Sequence, residues 1–262
     1  MRLETKRGTL GVCDHGVARQ GVAPLVLLHP FPFDRRAFDL LLPHLTGHRA
    51  ITVEAPGFGE TPGRAAYSIA DLAEDVIATL DALGIERASV LGNSMGGYVA
   101  LALARRAPSR VERLLLVDTR ANADGDEARA ARQAAIAAIE QHGAARYVEG
   151  IGERLLAPSA PLPLREIVKQ LVQHPAASLV AALGALRDRP DRSRELGAIE
   201  HPTLVVCGAL DSVTPPDVVR SLADPSTGIK QARYVELPGV GHLPPLEAPA
   251  VLAQAINSFI AC

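Results

Sequence analysis

The sequence predicts an α/β fold in which a mostly parallel sheet carries helices on both faces and a helical segment is inserted late in the chain. Up to Asp118, short apolar runs with strand character alternate with helical segments. Such alternation is typical of parallel sheets covered by helices. The alternation stops after residue 119 and resumes at residue 200. We therefore expect a core domain of residues 1–119 and 200–262 and an inserted helical cap of residues 120–199.

The elements of the first half are predicted from apolar runs and helix caps. Residues 2–6 and 9–13 flank the turn Arg7-Gly8 and favour a hairpin at one sheet edge. Asp34 is placed to cap a helix that continues to about Leu45, and Ser68 to cap a helix over residues 69–83. The other strands expected in this half cover residues 24–29, 49–54, 88–91 and 111–118.

The second half begins with a long stretch that lacks strand character. Prolines at 158, 161 and 163 divide this stretch, and its alanine-rich segments favour helices. The expected helices cover residues 129–142, 145–156, 164–174 and 176–187. The core pattern then returns with strands at 203–208 and 232–237 and helices at 216–223 and 246–260.

Composition and charge exclude several classes of function. Of the 262 residues, 48% are hydrophobic and 21% charged, and the formal net charge is -2 without a basic block. Nucleic acid is therefore not an expected partner. Without a bilayer-length apolar run or an apolar leader we expect a cytoplasmic protein with no membrane span. Cys13, Cys207 and Cys262 form no C-x-x-C pair, so neither a metal nor a disulfide is expected.

Ser94 is the first candidate for chemistry. It lies between Gly92 and Gly96 in a Gly-x-Ser-x-Gly pattern, after a predicted strand and before a predicted helix. This is the arrangement of a nucleophile elbow, in which a strained turn projects the serine hydroxyl from the sheet edge. The N–H groups at the start of the helix then point to where negative charge develops. A glycine-rich turn with an incidental serine is the alternative interpretation.

Asp211 and His242 are the second and third candidates. Each follows a predicted parallel strand, and so lies on the sheet edge where open α/β sheets bind ligands. The chain order Ser, Asp, His is that of one known class of catalytic triad. Taken singly, Asp211 would be interpreted as a turn former and His242 as a loop histidine held by backbone hydrogen bonds. Asp118 also ends a strand and is the competing acid, but Asp211 lies in the better loop context.

With these residues the chain resembles the α/β-hydrolase superfamily, specifically its small cap-bearing esterases and 3-oxoadipate enol-lactonases, over nearly its whole length. His29-Pro30-Phe31 stands where that family usually has His-Gly-x. The resemblance implies that Phe31 and Met95 supply the oxyanion-hole N–H groups and that His29 braces the loop. Pro30 departs from the pattern, but the donor is the following residue, so the hole survives in principle.

The resemblance implies a serine hydrolase that cleaves carboxylic esters of small apolar substrates, with no metal or organic cofactor. Its expected partner is a small-molecule ester or lactone, and the oligomeric state stays open. Phe31, Phe33 and Phe58 lie in loops expected to face the site, where their rings would form an apolar wall for substrate.

The resembled group also includes carbon–carbon bond hydrolases and perhydrolases, and two main alternatives to the esterase are kept. A 3-oxoadipate enol-lactonase would act on an anionic substrate and would need a pocket arginine. The cap offers Arg129, Arg132, Arg146 and Arg154 for that purpose. The other alternative is a small-molecule binding protein on the same fold with slow or no turnover.

Overall fold

The computed structural model describes residues 1–16 and 21–261, and an eight-stranded sheet lies at its centre. Cys262 lies outside the described residues. The strand order is β1-β2-β4-β3-β5-β6-β7-β8, with β2 antiparallel to both β1 and β4 and the other neighbours parallel. The predicted α/β fold with a mostly parallel sheet is confirmed. The strands are β1 (Arg2–Thr5), β2 (Gly8–His15), β3 (Leu25–Leu28), β4 (Ala50–Val53), β5 (Ala88–Asn93), β6 (Val111–Val117), β7 (Thr203–Gly208) and β8 (Ala232–Leu237).

The central strands are apolar along their length because both faces of the sheet are covered. In β3, Val26 and Leu28 pack into one apolar cluster, whereas Leu25 and Leu27 pack into a second cluster. Successive side chains of a strand point to opposite faces, so the two clusters lie on the two sides of the sheet. This double burial explains the continuous apolar run in the sequence.

The helices lie between the strands, after β8 and in residues 120–199, the segment that the sequence predicts to be a cap and that is named the cap segment for that reason. Ser68 begins the first of them with a capping box, in which Ser68 and Asp71 accept from each other's backbone N–H groups. No helix in the described part of the chain is both long and apolar enough to span a membrane. The helices are α1 (Ile69–Ala82), α2 (Met95–Arg106), α3 (Asp126–His142), α4 (Ala145–Glu149), α5 (Ile151–Leu155), α6 (Leu162–Leu171), α7 (Ala176–Arg187), α8 (Pro216–Arg220), α9 (Pro244–Glu247) and α10 (Pro249–Ile260).

Three predicted helices are interrupted. Asp34 does cap a helix, but that helix is a short 3-10 turn, Arg35–Phe38, and a second 3-10 turn follows at Leu42–His44. Pro43 within the second turn lacks an N–H and disfavours α-helix in the residue before it. For the same reason the closing helix restarts at Pro249, whereas the helix expected over 145–156 divides at Gly150.

Between β6 and β7 the structure shows helices and turns but no strand, as the sequence predicts for residues 120–199. Within this segment α3 packs against α7. The segment leaves the sheet at the end of β6, directly beside β5, the strand that leads to Ser94. The segment therefore begins at the sheet edge that carries the candidate site and ends at the opposite edge, where the parallel strand β7 begins.

Candidate active site

The turn that carries Ser94 is strained and tightly packed. Ser94 has φ 51° and ψ -112°, a backbone conformation that residues other than glycine rarely adopt. A Cβ on Gly92 would lie 2.1 Å from the carbonyl oxygen of Gly96, and a Cβ on Gly96 would lie 2.0 Å from that of Leu28. Both positions thus require glycine, and the close passage of backbone fixes the direction of the serine side chain.

The three candidate residues form one hydrogen-bonded chain. The Ser94 Oγ lies 2.8 Å from Nε2 of His242, and Nδ1 of His242 lies 2.7 Å from Oδ2 of Asp211. Because Asp211 is an ionised acceptor, Nδ1 carries the proton and donates it to Asp211. This leaves Nε2 free to accept the Ser94 hydroxyl proton, which is the tautomer that a general base requires.

The loop after β7 supplies the hydrogen bonds that hold Asp211. Its Oδ1 accepts from the N–H groups of Val213 and Thr214 at 2.7 and 3.0 Å, and its Oδ2 accepts from the Thr214 hydroxyl at 2.5 Å. Burial alone would raise the pKa of Asp211, but the hydrogen bonds from His242 and Thr214 outweigh it and lower that pKa to about 2. The carboxylate is therefore charged at any physiological pH.

Asp118, the competing acid, makes no hydrogen bond with the imidazole, which pairs with Asp211 instead. Its Oδ1 accepts from the N–H of Gly208 at 2.8 Å, and its Oδ2 has no hydrogen-bond partner among the described residues. Asp118 is fully buried. Burial, and next the charge of Asp211, raise the pKa of Asp118 well above its usual range.

The N–H groups of Phe31 and Met95, the expected oxyanion-hole donors, are among those that have no acceptor in the described part of the chain. Met95 is the first residue of α2, where helix N–H groups have no intrahelical partner. The Phe31 loop is held by buried His29, whose Nδ1 donates to the Pro30 carbonyl and whose Nε2 accepts from the Ala55 N–H, both at 3.0 Å. Burial lowers the pKa of His29 to about 4, which keeps this ring neutral.

The sequence profile described as the alpha/beta hydrolase family matches residues 25–255 of the chain. The chain belongs to the alpha/beta hydrolase family.

Individual relatives of this alpha/beta hydrolase are esterases and hydrolases. A protein of Variovorax paradoxus, provisionally named carbamate hydrolase RutD, is 34% identical over 223 residues, which cover 82% of each chain. A pimeloyl-[acyl-carrier protein] methyl ester esterase of Neisseria meningitidis is 31% identical and covers 91% of this chain and 93% of its own. A solved thermophilic esterase of Thermogutta terrifontis with malate bound has a TM-score of 0.92 and 30% identity, and covers 100% of this chain and 97% of its own. The protein is accordingly an enzyme, a hydrolase of the esterase type.

A cavity of about 330 Å³ opens onto Ser94 in this alpha/beta hydrolase. This volume suits a small organic molecule. Core loops and the cap segment both contribute to its wall. The lining residues are Phe31, Ser94, Met95, Tyr98, Arg120, Arg132, Tyr147, Ile151, Arg154, Leu155, Leu186, Ser212, Val213, Thr214 and His242.

Of the three phenylalanines expected at the pocket, Phe31 lines this cavity, whereas Phe33 and Phe58 do not. The structure thus corrects the prediction that Phe33 and Phe58 line the pocket. Both side chains are fully buried in the apolar core. The Phe58 ring packs against Phe31 at a centroid distance of 6.3 Å and against His174 at 4.7 Å. Phe58 thus supports the cavity wall from behind.

The arginines also divide differently from the expectation. Arg132 and Arg154 line the cavity, whereas Arg129 and Arg146 do not. Arg120, which the sequence reasoning did not single out, joins the lining set. Helical position alone could not separate them, because the arrangement of α3 and α5 over the sheet decides which arginines face Ser94.

Three supporting residues were missed by the sequence reasoning. Thr214 had a local signal, since a threonine three residues after an aspartate commonly hydrogen-bonds back in a turn. Asn93 donates from Nδ2 to the Val117 carbonyl at 3.1 Å and to that of His242 at 3.4 Å. Glu247 accepts from the N–H groups of Gly241 at 3.1 Å and of Ala157 in the cap segment at 2.8 Å. Asn93 and Glu247 act between distant parts of the chain and carry no local sequence signal.

Proposed function

We propose that this alpha/beta hydrolase cleaves small-molecule carboxylic esters with Ser94 as nucleophile, His242 as general base and acid, and Asp211 as the residue that orients the imidazole. The observation that carries the proposal is the hydrogen-bonded chain from Asp211 through His242 to Ser94 at the wall of a ligand-sized cavity. The relative that is named a methyl ester esterase supports the carboxylic ester as the bond that is cleaved.

The proposed first half-reaction forms an acyl-enzyme. Ser94 Oγ attacks the ester carbonyl carbon while its proton passes to Nε2 of His242. The resulting oxyanion accepts hydrogen bonds from the N–H groups of Phe31 and Met95. When the intermediate collapses, the bond to the alcohol oxygen breaks and His242 returns the proton to that oxygen.

The second half-reaction consumes water. His242 takes a proton from water, and the hydroxide attacks the acyl carbonyl carbon. Collapse of the second tetrahedral intermediate breaks its bond to Ser94, whose oxygen regains a proton from His242. The charge of Asp211 stabilises the imidazolium at both stages, and all proton transfers are thereby completed by this chain's own residues.

We also propose that residues 120–199 act as a cap that shapes the pocket. Tyr147, Ile151 and Leu186 of this segment line the cavity. The N–H of His242 donates to the carbonyl of Leu155 at 2.9 Å, so the segment contacts the loop that carries the proposed base.

Ser94→Ala tests the nucleophile directly. We expect the variant to fold and to lose turnover of p-nitrophenyl acetate and butyrate, because no second hydroxyl or thiol of the described residues donates to Nε2 of His242. A fluorophosphonate probe should label the wild type at Ser94 and leave Ser94→Ala unlabelled. Ser212→Ala, which removes another cavity serine, is the control and should still be labelled. Turnover above a few per cent in Ser94→Ala would refute the proposal.

Lactones belong in the same assay because a lactone is an internal ester that the same three residues could open. A panel of γ- and δ-lactones beside linear esters of equal carbon number separates the two substrate classes. A kcat/KM that is at least tenfold higher for the lactones would assign the protein to the lactonase alternative.

A further inference from the structure

Three arginines from separate elements reach the cavity that contains Ser94. Arg120 follows β6, Arg132 lies on α3 and Arg154 lies on α5. None of the cavity-lining residues that the structure describes is an aspartate or a glutamate. The wall of the cavity that contains the proposed nucleophile therefore carries an excess of positive charge.

One buried carboxylate, that of Asp124, holds part of this cluster together. Its side chain has no exposed surface, and it pairs with Arg120 at 2.7 Å, Arg132 at 2.5 Å and Arg189 at 2.8 Å. Burial alone would raise the pKa of Asp124, but the arginines outweigh it and lower that pKa. We call Asp124 and these three arginines the Asp124 hub. Its three guanidinium groups share one negative charge, so two of its positive charges are not compensated within it.

The geometry of the hub leaves donors for a ligand. A carboxylate has two oxygens, whereas three guanidinium groups bring many more N–H donors than those oxygens can accept. Arg120 and Arg132 also keep 22% and 23% of their side-chain surface exposed, and both lie on the cavity wall. Arg189 is instead buried, with its guanidinium 4.4 Å from the ring centre of Tyr98, and so serves as the inner anchor.

Arg154 adds a third charge at the cavity that is independent of Asp124. It has no hydrogen bond or ion pair with any residue whose side chain the structure describes. A structural role in tying the cap segment together would account for the Asp124 hub. It does not account for Arg154, an additional arginine on the same wall that has no counter-ion among the described side chains.

We propose that the cavity selects esters that bear a free carboxylate away from the scissile bond, bound by Arg120, Arg132 and Arg154. The proposal rests on the ester hydrolysis proposed above and narrows its substrate class to monoesters of dicarboxylic acids or acylated hydroxy acids. Guanidinium groups pair with carboxylates through two parallel hydrogen bonds, which fixes orientation as well as charge. The arginines would thereby position the ester carbonyl at Ser94.

Matched substrate pairs test the proposal. Monomethyl glutarate and its carboxamide analogue, methyl 4-carbamoylbutanoate, differ only in the charge of the distal group. O-acetyl-lactate and O-acetyl-lactamide place the same difference on the alcohol side. We expect kcat/KM to favour the acid by at least about tenfold in one pair, the effect of a charge-assisted hydrogen bond, and the favoured pair identifies the side that carries the carboxylate. A ratio near one in both pairs would overturn the proposal.

Variants assign the preference to the cavity arginines. Arg154→Gln and Arg132→Gln should each reduce the acid-to-amide ratio of kcat/KM several-fold. Arg129→Gln is the matched control, since Arg129 shares α3 with Arg132 but pairs with Asp188 at 3.5 Å and is 47% exposed outside the cavity. Ratios unchanged in both cavity variants, or reduced equally in the control, would contradict the assignment.

Binding separates this proposal from the proposed reaction. Glutarate titrated calorimetrically into Ser94→Ala should bind, and binding should weaken in Ser94→Ala/Arg154→Gln and at higher salt. Turnover of the amide esters without acid preference or glutarate binding would refute the carboxylate site alone. Glutarate binding that depends on Arg154, without hydrolysis of any ester, would support the site and refute the reaction.

Discussion

Asp118 and Asp211 carry carboxyl oxygens within 4.8 Å of each other, yet their surroundings move the two pKa values in opposite directions. Burial and the neighbouring charge raise the pKa of Asp118, whereas the donors around Asp211 lower its pKa to about 2. Two adjacent buried carboxyl groups do not both ionise readily. Asp118 therefore holds its proton more tightly than Asp211, whose charge faces His242.

The two aspartates should differ sharply on substitution. Asp211→Asn should lower kcat by about four orders of magnitude, because it removes the charge that stabilises the imidazolium. Asp118→Asn should stay within about tenfold of wild type, because an amide resembles the protonated carboxyl in shape and can still accept from Gly208. Steady-state kinetics with a p-nitrophenyl ester measure both. A larger loss in Asp118→Asn would reverse the assignment of the acid.

Asp118 should also make the wild type less stable as pH rises. In the unfolded chain an aspartate releases its proton near pH 3.9, whereas the folded protein retains it to higher pH. Stability then falls above about pH 4 by up to about 1.4 kcal/mol per pH unit, until the folded-state pKa is reached. Asp118→Asn lacks this loss, so its stability relative to wild type should increase from pH 4 to pH 7.

Urea unfolding at pH 4, 5, 6 and 7 measures that stability difference. Asp188→Asn is the control, since the Asp188 side chain is 52% exposed and hydrogen bonds from Arg187 lower its pKa. Its difference from wild type should stay nearly constant above pH 4. A constant difference for Asp118→Asn would show that Asp118 ionises normally in the folded protein.

Thr214 should contribute through Asp211. Thr214→Val keeps the side-chain shape but removes the hydroxyl that donates to Asp211 Oδ2. Hydrogen bonds to charged groups contribute about 1.5–3 kcal/mol, so we expect a stability loss of that order and a fall in kcat smaller than that of Asp211→Asn. Ser212→Ala, one position away from Asp211, should leave the unfolding free energy near wild type. Equal stability of Thr214→Val and wild type would contradict the role.

Backbone contacts require glycine at the elbow. Alanine substitutions at two helical glycines, Gly96 and Gly184, can test this requirement. Gly96→Ala would place a Cβ 2.0 Å from the Leu28 carbonyl oxygen, where only backbone movement relieves the clash. We expect loss of activity and a strongly lowered melting temperature. Gly184 in α7 has no atom within 4 Å of such a Cβ, and Gly184→Ala should stabilise the protein by about 1 kcal/mol through helix propensity. Equal thermal stability of the two variants would contradict the packing argument.

The cap segment should control substrate choice without changing the reactivity of Ser94. Ile151→Ala enlarges the cavity and should shift the preferred acyl or alcohol group, with pocket contacts worth about 1–3 kcal/mol per methylene. Ile167→Ala deletes the same atoms from a side chain that is 40% exposed and outside the cavity. We expect only Ile151→Ala to alter a p-nitrophenyl ester chain-length profile, and both to react with fluorophosphonate like wild type. An unchanged chain-length profile in Ile151→Ala would contradict the proposal that residues 120–199 shape the pocket.

The sequence by itself determined the α/β fold and the positions of the strands. Strands covered on both faces must be apolar throughout, so runs such as β7 are visible without a structure. It also placed Ser94, Asp211 and His242 at strand ends on one sheet edge, because parallel strands end there together. Their catalytic roles stay predictions, but their proximity at one sheet edge follows from topology that the sequence pattern already specified.

Helix continuity was less predictable because it depends on single residues. Pro249 and Gly150 divide helices that the apolar pattern alone joins. The pattern reports which face of a segment is buried, whereas the missing N–H of a proline decides where its hydrogen bonding can continue.

Only the tertiary structure decided which side chains contact one another in the site. The bond between His242 and Ser94 spans 148 positions in the chain, and which aspartate reaches the imidazole depends on loops folded around Thr214. The burial of Phe58 and the grouping of arginines about Asp124 likewise depend on how the cap segment lies on the core. Local sequence encodes backbone preference and burial, but side-chain contacts and pKa values depend on residues that only folding brings together.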